Sequence, residues 1–384
     1  MLARLTDPAD ASTLDRGLVL WFPAPASATG EDVAELHLHG GRAVLAAVER
    51  ALARITGLRL AQAGEFTRRA FANGRIDLAE AEGLADLLAA ETELQRRTAL
   101  AMASGRLSRA AEHWRRQLLD LSAAVESALD FSDEEDVAHI SAGLSSGCAT
   151  LAAELEGWLG RPRAEPLREG FRIVLAGPPN AGKSTLLNAL TESEASITSP
   201  HPGTTRDLIV RAVAIEGVPL MFIDTAGLHG ASSDPIEAIG IERARAALGE
   251  ADVVLWLGPE TAAPPARCVW QVHAKADLGR YADNSATGYQ VSAITGEGIA
   301  YLRSELVQLA RAALPSPGEV ALSKRQTALL EACRSAVASA SVQLNPLLAA
   351  EDLRVARTAL DRLLGRLGTE DMLDTLFARF CIGK

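Results

Sequence analysis

Residues Gly177-Pro178-Pro179-Asn180-Ala181-Gly182-Lys183-Ser184 carry the spacing G-x-x-x-x-G-K-[ST], with Thr185 next. The types explain the spacing. Glycines let backbone N–H groups turn inward around phosphate oxygens, and the helix that follows aims its positive end at them. Lys183 is expected to reach the β- and γ-phosphates, and the Ser184 hydroxyl to ligate Mg²⁺. At average glycine usage a chance match in a chain this long is expected roughly once in a hundred.

Further motifs follow in the order that GTP chemistry needs. Gly203-Thr204-Thr205-Arg206-Asp207 sits where a first switch belongs, Thr205 binding Mg²⁺ and sensing the γ-phosphate. Asp224-Thr225-Ala226-Gly227 ends an apolar run, as a Walker-B aspartate and second switch do. Lys275-Ala276-Asp277 resembles a base-reading motif, and Ser292-Ala293 the segment beside the guanine. Asp277 is suited to accept two hydrogen bonds from guanine N1 and N2, which adenine cannot donate. The nucleotide contacts expected are Asn180, Ala181, Gly182, Lys183, Ser184, Thr185, Ser199, Thr204, Thr205, Asp224, Thr225, Ala226, Gly227, Lys275, Asp277, Ser292 and Ala293. One position is changed: Ala274, after His273, stands where asparagine normally ties the base loop to the phosphate loop. Losing such a hydrogen bond from a buried site costs roughly 1–3 kcal/mol, so weakened GTP affinity with guanine preference retained is expected.

These residues need a scaffold. From Phe171 to about Ala313 strand and helix signals alternate: strands at Phe171–Ala176, Leu208–Ile215, Leu220–Ile223, Val253–Leu257, Val269–Val272 and Tyr289–Val291, and helices to Leu190 and from Gly298. From about Arg75 to Leu159 apolar residues recur at helical spacing, in stripes such as Leu78, Ala81, Ala85, Leu88 and Leu118, Leu121, Val125, Leu129. Helical texture returns after Pro315-Ser316-Pro317-Gly318. Before all of this, strands at Gly17–Phe22 and Val33–His39 and a helix at Ala43–Ile55 suggest a small α+β unit. The expected fold is an α/β P-loop GTPase domain (167–314) inserted into an α-helical bundle domain (74–166 and 315–384), preceded by a small α+β N-terminal domain (1–73).

Composition narrows the class. The chain has 384 residues, 48% hydrophobic, enough for two or three cores. No apolar run approaches the roughly 20 residues of a membrane span, and no signal-peptide pattern opens the chain. The four cysteines are far apart without metal-ligand spacing and read as reduced thiols, which suits a cytoplasmic protein. A net charge of −11 excludes general coating of nucleic acid, so RNA contact needs local basic patches or a partner.

The flanks carry a resemblance. Thr29-Gly30-Glu31-Asp32-Val33-Ala34-Glu35-Leu36-His37-Leu38-His39-Gly40-Gly41, Ala63-Gly64-Glu65-Phe66-Thr67-Arg68-Arg69-Ala70-Phe71-Ala72-Asn73-Gly74, Asp130-Phe131-Ser132-Asp133-Glu134-Glu135-Asp136 and the closing Phe380-Cys381-Ile382-Gly383-Lys384 are similar to segments of the tRNA modification GTPase MnmE (TrmE) family. The resemblance covers essentially the whole chain. It implies a helical domain interrupted by the G domain, a homodimer or a heterotetramer with an FAD-dependent MnmG-type partner, and modification of the tRNA wobble uridine at carbon 5. The group added is of the aminomethyl or carboxymethylaminomethyl type, with 5-formyl- or methylene-tetrahydrofolate as one-carbon donor. By the same resemblance folate contacts fall on Glu35, Arg75 and Lys384, the first two otherwise ordinary surface charges and the last a frayed tail. K⁺ replaces an arginine finger, held by Asn180, Ser199, His201 and Thr204. Glu237, in register with Gly240, orients the attacking water and joins Lys183 and Thr205 as the catalytic set; otherwise it reads as an exposed glutamate near a helix start.

Departures from the family pattern leave alternatives open. The Gly-rich strand region before Ala3 is absent, so the N-domain is expected to be incomplete at its start. Ser199, His201 and Pro202 replace the usual Thr, Ile or Val, and Ala; His229 replaces an arginine; the stretch between Leu257 and Val269 is short. A hydrolysis-poor scaffold of the same complex is one alternative, and a ribosome-associated GTPase another, the latter opposed by the N-terminal motifs and FCIGK ending. Cys381 reads as a thiol beside the folate site or, better, as a small residue packing the last helix. Arg68-Arg69, Arg96-Arg97 and Arg115-Arg116 read as solvated helix faces paired with glutamates before they read as tRNA contacts.

Overall fold

The structure is a computed structural model that describes residues 1–130, 137–192, 208–225, 242, 244–278, 288–367, 370–378 and 380. The chain forms two compact units, one of Met1–Leu88, Ala103–Cys148 and Ala336–Lys384, the other of Ala89–Met102 and Ala149–Ser335. The second is thus flanked in sequence on both sides by the first, and the divisions fall at different residues from those the textures suggest.

In the first unit, β1 (Leu2–Thr6), β2 (Thr13–Phe22) and β3 (Val33–His37) make an antiparallel sheet with β2 central. β1 is absent from the sequence reading: its five residues carry no apolar alternation strong enough to stand out, and it is a strand because β2 offers a partner, Leu2 opposite Leu18 and Leu5 opposite Asp15. The N-terminal elements share a core with the last ones. Leu78, Ala81, Leu376, Phe377 and Phe380 cluster with Phe71 packed against them, and Leu78 N donates to Leu364 O at 3.1 Å.

Helix Arg106–Asp130 packs along Pro346–Leu363, burying Leu107, Ala111, Trp114, Leu118 and Val125 against Leu353, Ala356 and Leu360. Leu121 and Leu129 are only half-buried and Leu88 is exposed, so both apolar stripes are narrower than their periodicity implies. The basic pairs do meet nearby glutamates, Arg69 with Glu65, Arg96 and Arg97 with Glu93 and Arg115 with Glu112, and they reach further partners as well, Arg68 to Asp374, Arg69 to Glu31 and Arg115 to Asp361. Several of these partners lie far away in sequence and two are aspartates.

The second unit holds a six-stranded sheet, β5 (Leu208–Ile215), β6 (Val218–Thr225), β4 (Phe171–Ala176), β7 (Val253–Trp256), β8 (Val269–Ala274) and β9 (Tyr289–Val291) in that spatial order. All neighbours are parallel except β5, which runs antiparallel to β6. β6 and β7 are buried throughout, as central strands covered on both faces must be. Alternation along β4 sorts the two layers. Phe171, Ile173 and Leu175 join a core with Leu186, Leu187 and Leu190 of helix Lys183–Thr191 and Leu302, Leu306 and Val307 of helix Ile299–Ala313. Val174 and Ala176 face Leu248 and Ala251 on the other side. Parallel strands therefore end on one edge of the sheet, where an α/β fold builds its ligand crevice.

Candidate nucleotide site

β4 ends at Ala176 and the phosphate loop begins. Gly182 caps the next helix at φ 99°, a conformation that strains any side chain, and leaves the first-turn N–H groups without a side-chain partner. Asn180 also takes a left-handed conformation, φ 60°. Lys183 is 7% exposed, and its Nζ donates to Gly177 O and Pro178 O, each at 3.0 Å. Burial pulls its ammonium below the usual lysine value, opposed by the Asp224 carboxylate. Ala181 and Thr185 lie in the same loop and first turn.

At the end of β6, Asp224 is 3% exposed and accepts a hydrogen bond from Ser184 Oγ at 2.5 Å through Oδ2. Its Oδ1 is buried with no partner among the described residues. A buried carboxylate oxygen left open beside a hydroxyl is an oxygen donor set that fits Mg²⁺, a hard cation bound through few protein oxygens. Thr225 is fully buried and its hydroxyl donates to Leu175 O at 2.8 Å.

The ends of β8 and β9 bring up the base-reading loop. Lys275, at φ 64°, donates from Nζ to Asn180 O at 2.7 Å, laying its stem toward the phosphate loop. The position a Cβ on Gly182 would take lies 3.7 Å from Ala274 Cβ and from Lys275 Cε. Asp277 is exposed, and Ser292, fully buried, donates from Oγ to Asp277 Oδ1 at 2.6 Å. Ser292 N in turn donates to Glu297 O at 2.9 Å, which fixes the turn holding Ala293.

Ser199, His201, Thr204, Thr205, Ala226, Gly227, Glu237, Cys381 and Lys384 lie outside the described residues. Glu35 is exposed on β3 with His37 Nε2 3.1 Å from its Oε2, and Arg75 is exposed after helix Glu65–Ala72. Arg75 N donates to Ala70 O and Gly74 N to Phe71 O, closing a Schellman cap on that helix. Asn73 Nδ2 donates to Thr29 O and Glu31 Oε1, each at 2.9 Å, so the loop before β3 is pinned to this cap. Sequence reasoning did not single out Asn73 or Glu31, although both stand inside the two N-terminal motifs. Among the described residues no hydrogen bond or ion pair joins Glu35 to Arg75, and no group of three His, Cys, Asp or Glu could hold a metal.

A phosphate loop on a helix start, a carboxylate under its serine and a serine-held aspartate two residues after a lysine that reaches this loop together define a P-loop GTPase domain. The family model for the MnmE helical domain matches residues 78–381, and that for the GTP-binding protein TrmE N-terminus residues 1–75. The chain belongs to the tRNA modification GTPase MnmE family. It is 60% identical over 392 residues to the tRNA modification GTPase MnmE of Novosphingobium aromaticivorans, covering 100% of this chain and 90% of that protein. The proteins of that name from Erythrobacter litoralis and Rhizorhabdus wittichii are 57% and 56% identical, with 100% of this chain and 90% and 86% of theirs covered. Among solved structures, the G domain of the T. maritima FeoB iron transporter is similar over 36% of this chain and 98% of its own, with 26% identity and a TM-score of 0.28.

Proposed function

We propose that this chain hydrolyses GTP in the service of tRNA modification, at carbon 5 of the wobble uridine, with an FAD-dependent MnmG-type partner and a tetrahydrofolate derivative as one-carbon donor. The nucleotide half rests on one observation, the Ser184–Asp224 pair with the open Asp224 Oδ1 under the phosphate loop. The tRNA half rests on the family. The Lys183 ammonium exchanges the Gly177 and Pro178 carbonyls for phosphate oxygens, a small movement because the loop already surrounds it. Asp277, oriented by Ser292, reads the guanine edge, and Lys275 holds that loop against Asn180. Mg²⁺, when bound at Ser184, Asp224 and Thr205, neutralises charge on the phosphates; K⁺, when bound through Asn180, Ser199, His201 and Thr204, does the work of an arginine finger. Glu237 orients the attacking water. Glu35, Arg75 and Lys384 hold the folate, the first two being exposed on the surface. A homodimer in the cytoplasm suits this reading. Among the described residues no helix is long and apolar enough to cross a membrane.

The test is steady-state GTP hydrolysis in K⁺ against Na⁺ at matched ionic strength, with Glu237→Ala alongside. K⁺-stimulated turnover that collapses in the variant is the expected result. Negligible turnover in both salts with GTP still bound refutes it and favours a scaffold, the reading that Ala274 supports.

A further inference from the structure

We infer that Gly258, after β7, is a positioning residue for the phosphate loop, setting Pro178 and through it the carbonyl cradle of Lys183. The inference rests on the nucleotide reading above. Three bonds hold the segment that follows β7. Leu257 N donates to Ala176 O at 2.8 Å, Gln271 Nε2 to Gly258 O at 2.7 Å, and the Trp256 indole Nε1 to Pro259 O at 2.8 Å. Trp256 is 7% exposed, so its ring has little freedom to move away.

This segment lies directly on the loop. A Cβ on Gly177 would come 3.1 Å from Leu257 Cβ. A Cβ on Gly258 would meet Trp256 Cζ2 at 2.5 Å, Trp256 Cε2 at 2.8 Å and Pro178 Cδ at 3.0 Å. The φ of Gly258 is not positive, so glycine is needed here for space and not for backbone conformation. Any side chain must push either a pinned indole or the proline ring. Pro178 is the softer neighbour, since it belongs to a loop, and its carbonyl is one of the two that hold Lys183. Displacing it moves the lysine away from where the β- and γ-phosphates bind. Trp256, Gly258 and Gln271 thus form a buttress behind the loop.

Isothermal titration with GDP tests this on the full chain, using Gly258→Ala, Trp256→Phe and the double variant. An overpacked contact of this kind costs enough to weaken GDP binding about tenfold in Gly258→Ala. Trp256→Phe removes Cζ2, the closer of the two clashing ring atoms, so the double variant is expected within about threefold of Trp256→Phe alone, while ligand-free Gly258→Ala stays fully folded at the titration temperature by circular dichroism, as a general loss of stability would not leave it. Equal affinity of parent and Gly258→Ala, or a loss that Trp256→Phe leaves intact, overturns the inference. Should Gly258→Ala fail to fold, Gln271→Leu, which removes the bond to Gly258 O, is titrated in its place. Weaker GDP binding supports the buttress and unchanged binding overturns it. A parent chain that binds no GDP refutes the nucleotide reading and the inference together.

Discussion

Replacing Ala274 by asparagine probes how much affinity this chain gives up at its base-reading loop. Ala274 ends β8, half-buried, with its Cβ 3.7 Å from where a Cβ on Gly182 would stand. A carboxamide there starts within one side chain's reach of the phosphate-loop backbone. At present the described side-chain tie between the two loops is Lys275 Nζ to Asn180 O at 2.7 Å. One added neutral hydrogen bond contributes about 0.5–1.5 kcal/mol, and less where water competes. At about 1.4 kcal/mol per decade that is roughly a two- to tenfold tighter Kd. The assay is GDP titration calorimetry on the parent, Ala274→Asn, Lys275→Ala and the double variant. Ala274→Asn is expected to bind more tightly and Lys275→Ala more weakly. The double variant is expected between them, with the two changes not additive because both hold one loop. If Ala274→Asn binds GDP no better than the parent, the side chain at 274 does not reach the phosphate loop, and the reasoning from the Gly182 contact fails.

Two further outcomes follow from charge and burial. Arg59 and Arg69, with the Gln62 N–H, hold the Glu65 carboxyl down to about 2 from its ordinary 4.5. A lowered folded value stabilises above the unfolded one and is lost as acid titrates the group, so the parent should lose stability between pH 4.5 and about 2 more steeply than Glu65→Gln in urea unfolding, and equal slopes refute the coupling. Burial pushes the Cys333 thiol up to about 12 and Cys148 to about 11, and both are fully buried, whereas Cys268 is half-exposed. Removing Cys268 should therefore lower the number of native thiols that react with Ellman's reagent, while Cys333→Ser should leave it unchanged.

Much of this molecule is written in contiguous residues. A loop that surrounds a phosphate within one turn of chain dictates the spacing of its glycines, lysine and hydroxyl, so Gly177, Gly182, Lys183 and Ser184 are legible without a fold. The runs at Leu208–Ile215 and Tyr289–Val291 are strands with the ends their composition indicates, because β-branched and aromatic residues favour extended chain even at the two edges of the sheet, where Ile209 and Val210 stay exposed. Lys183, Ser184 and Asp224 could be nominated from order alone, since the chemistry names the residue types in advance.

What depends on partners distant in sequence was not legible. β1 exists because β2 pairs with it, and Phe71 packs against a core that Leu78 shares with Phe377 and Phe380. Thr225 carries the type of a switch residue, yet folding turns its hydroxyl onto the carbonyl of Leu175, on a neighbouring strand. Gly258 looks like an ordinary turn glycine until the sheet sets Trp256 and Pro178 against it. Identity and chemistry are local properties of the chain; which face is covered, which hydroxyl is spent on the backbone and what props up the phosphate loop arise only when strands far apart in sequence lie side by side.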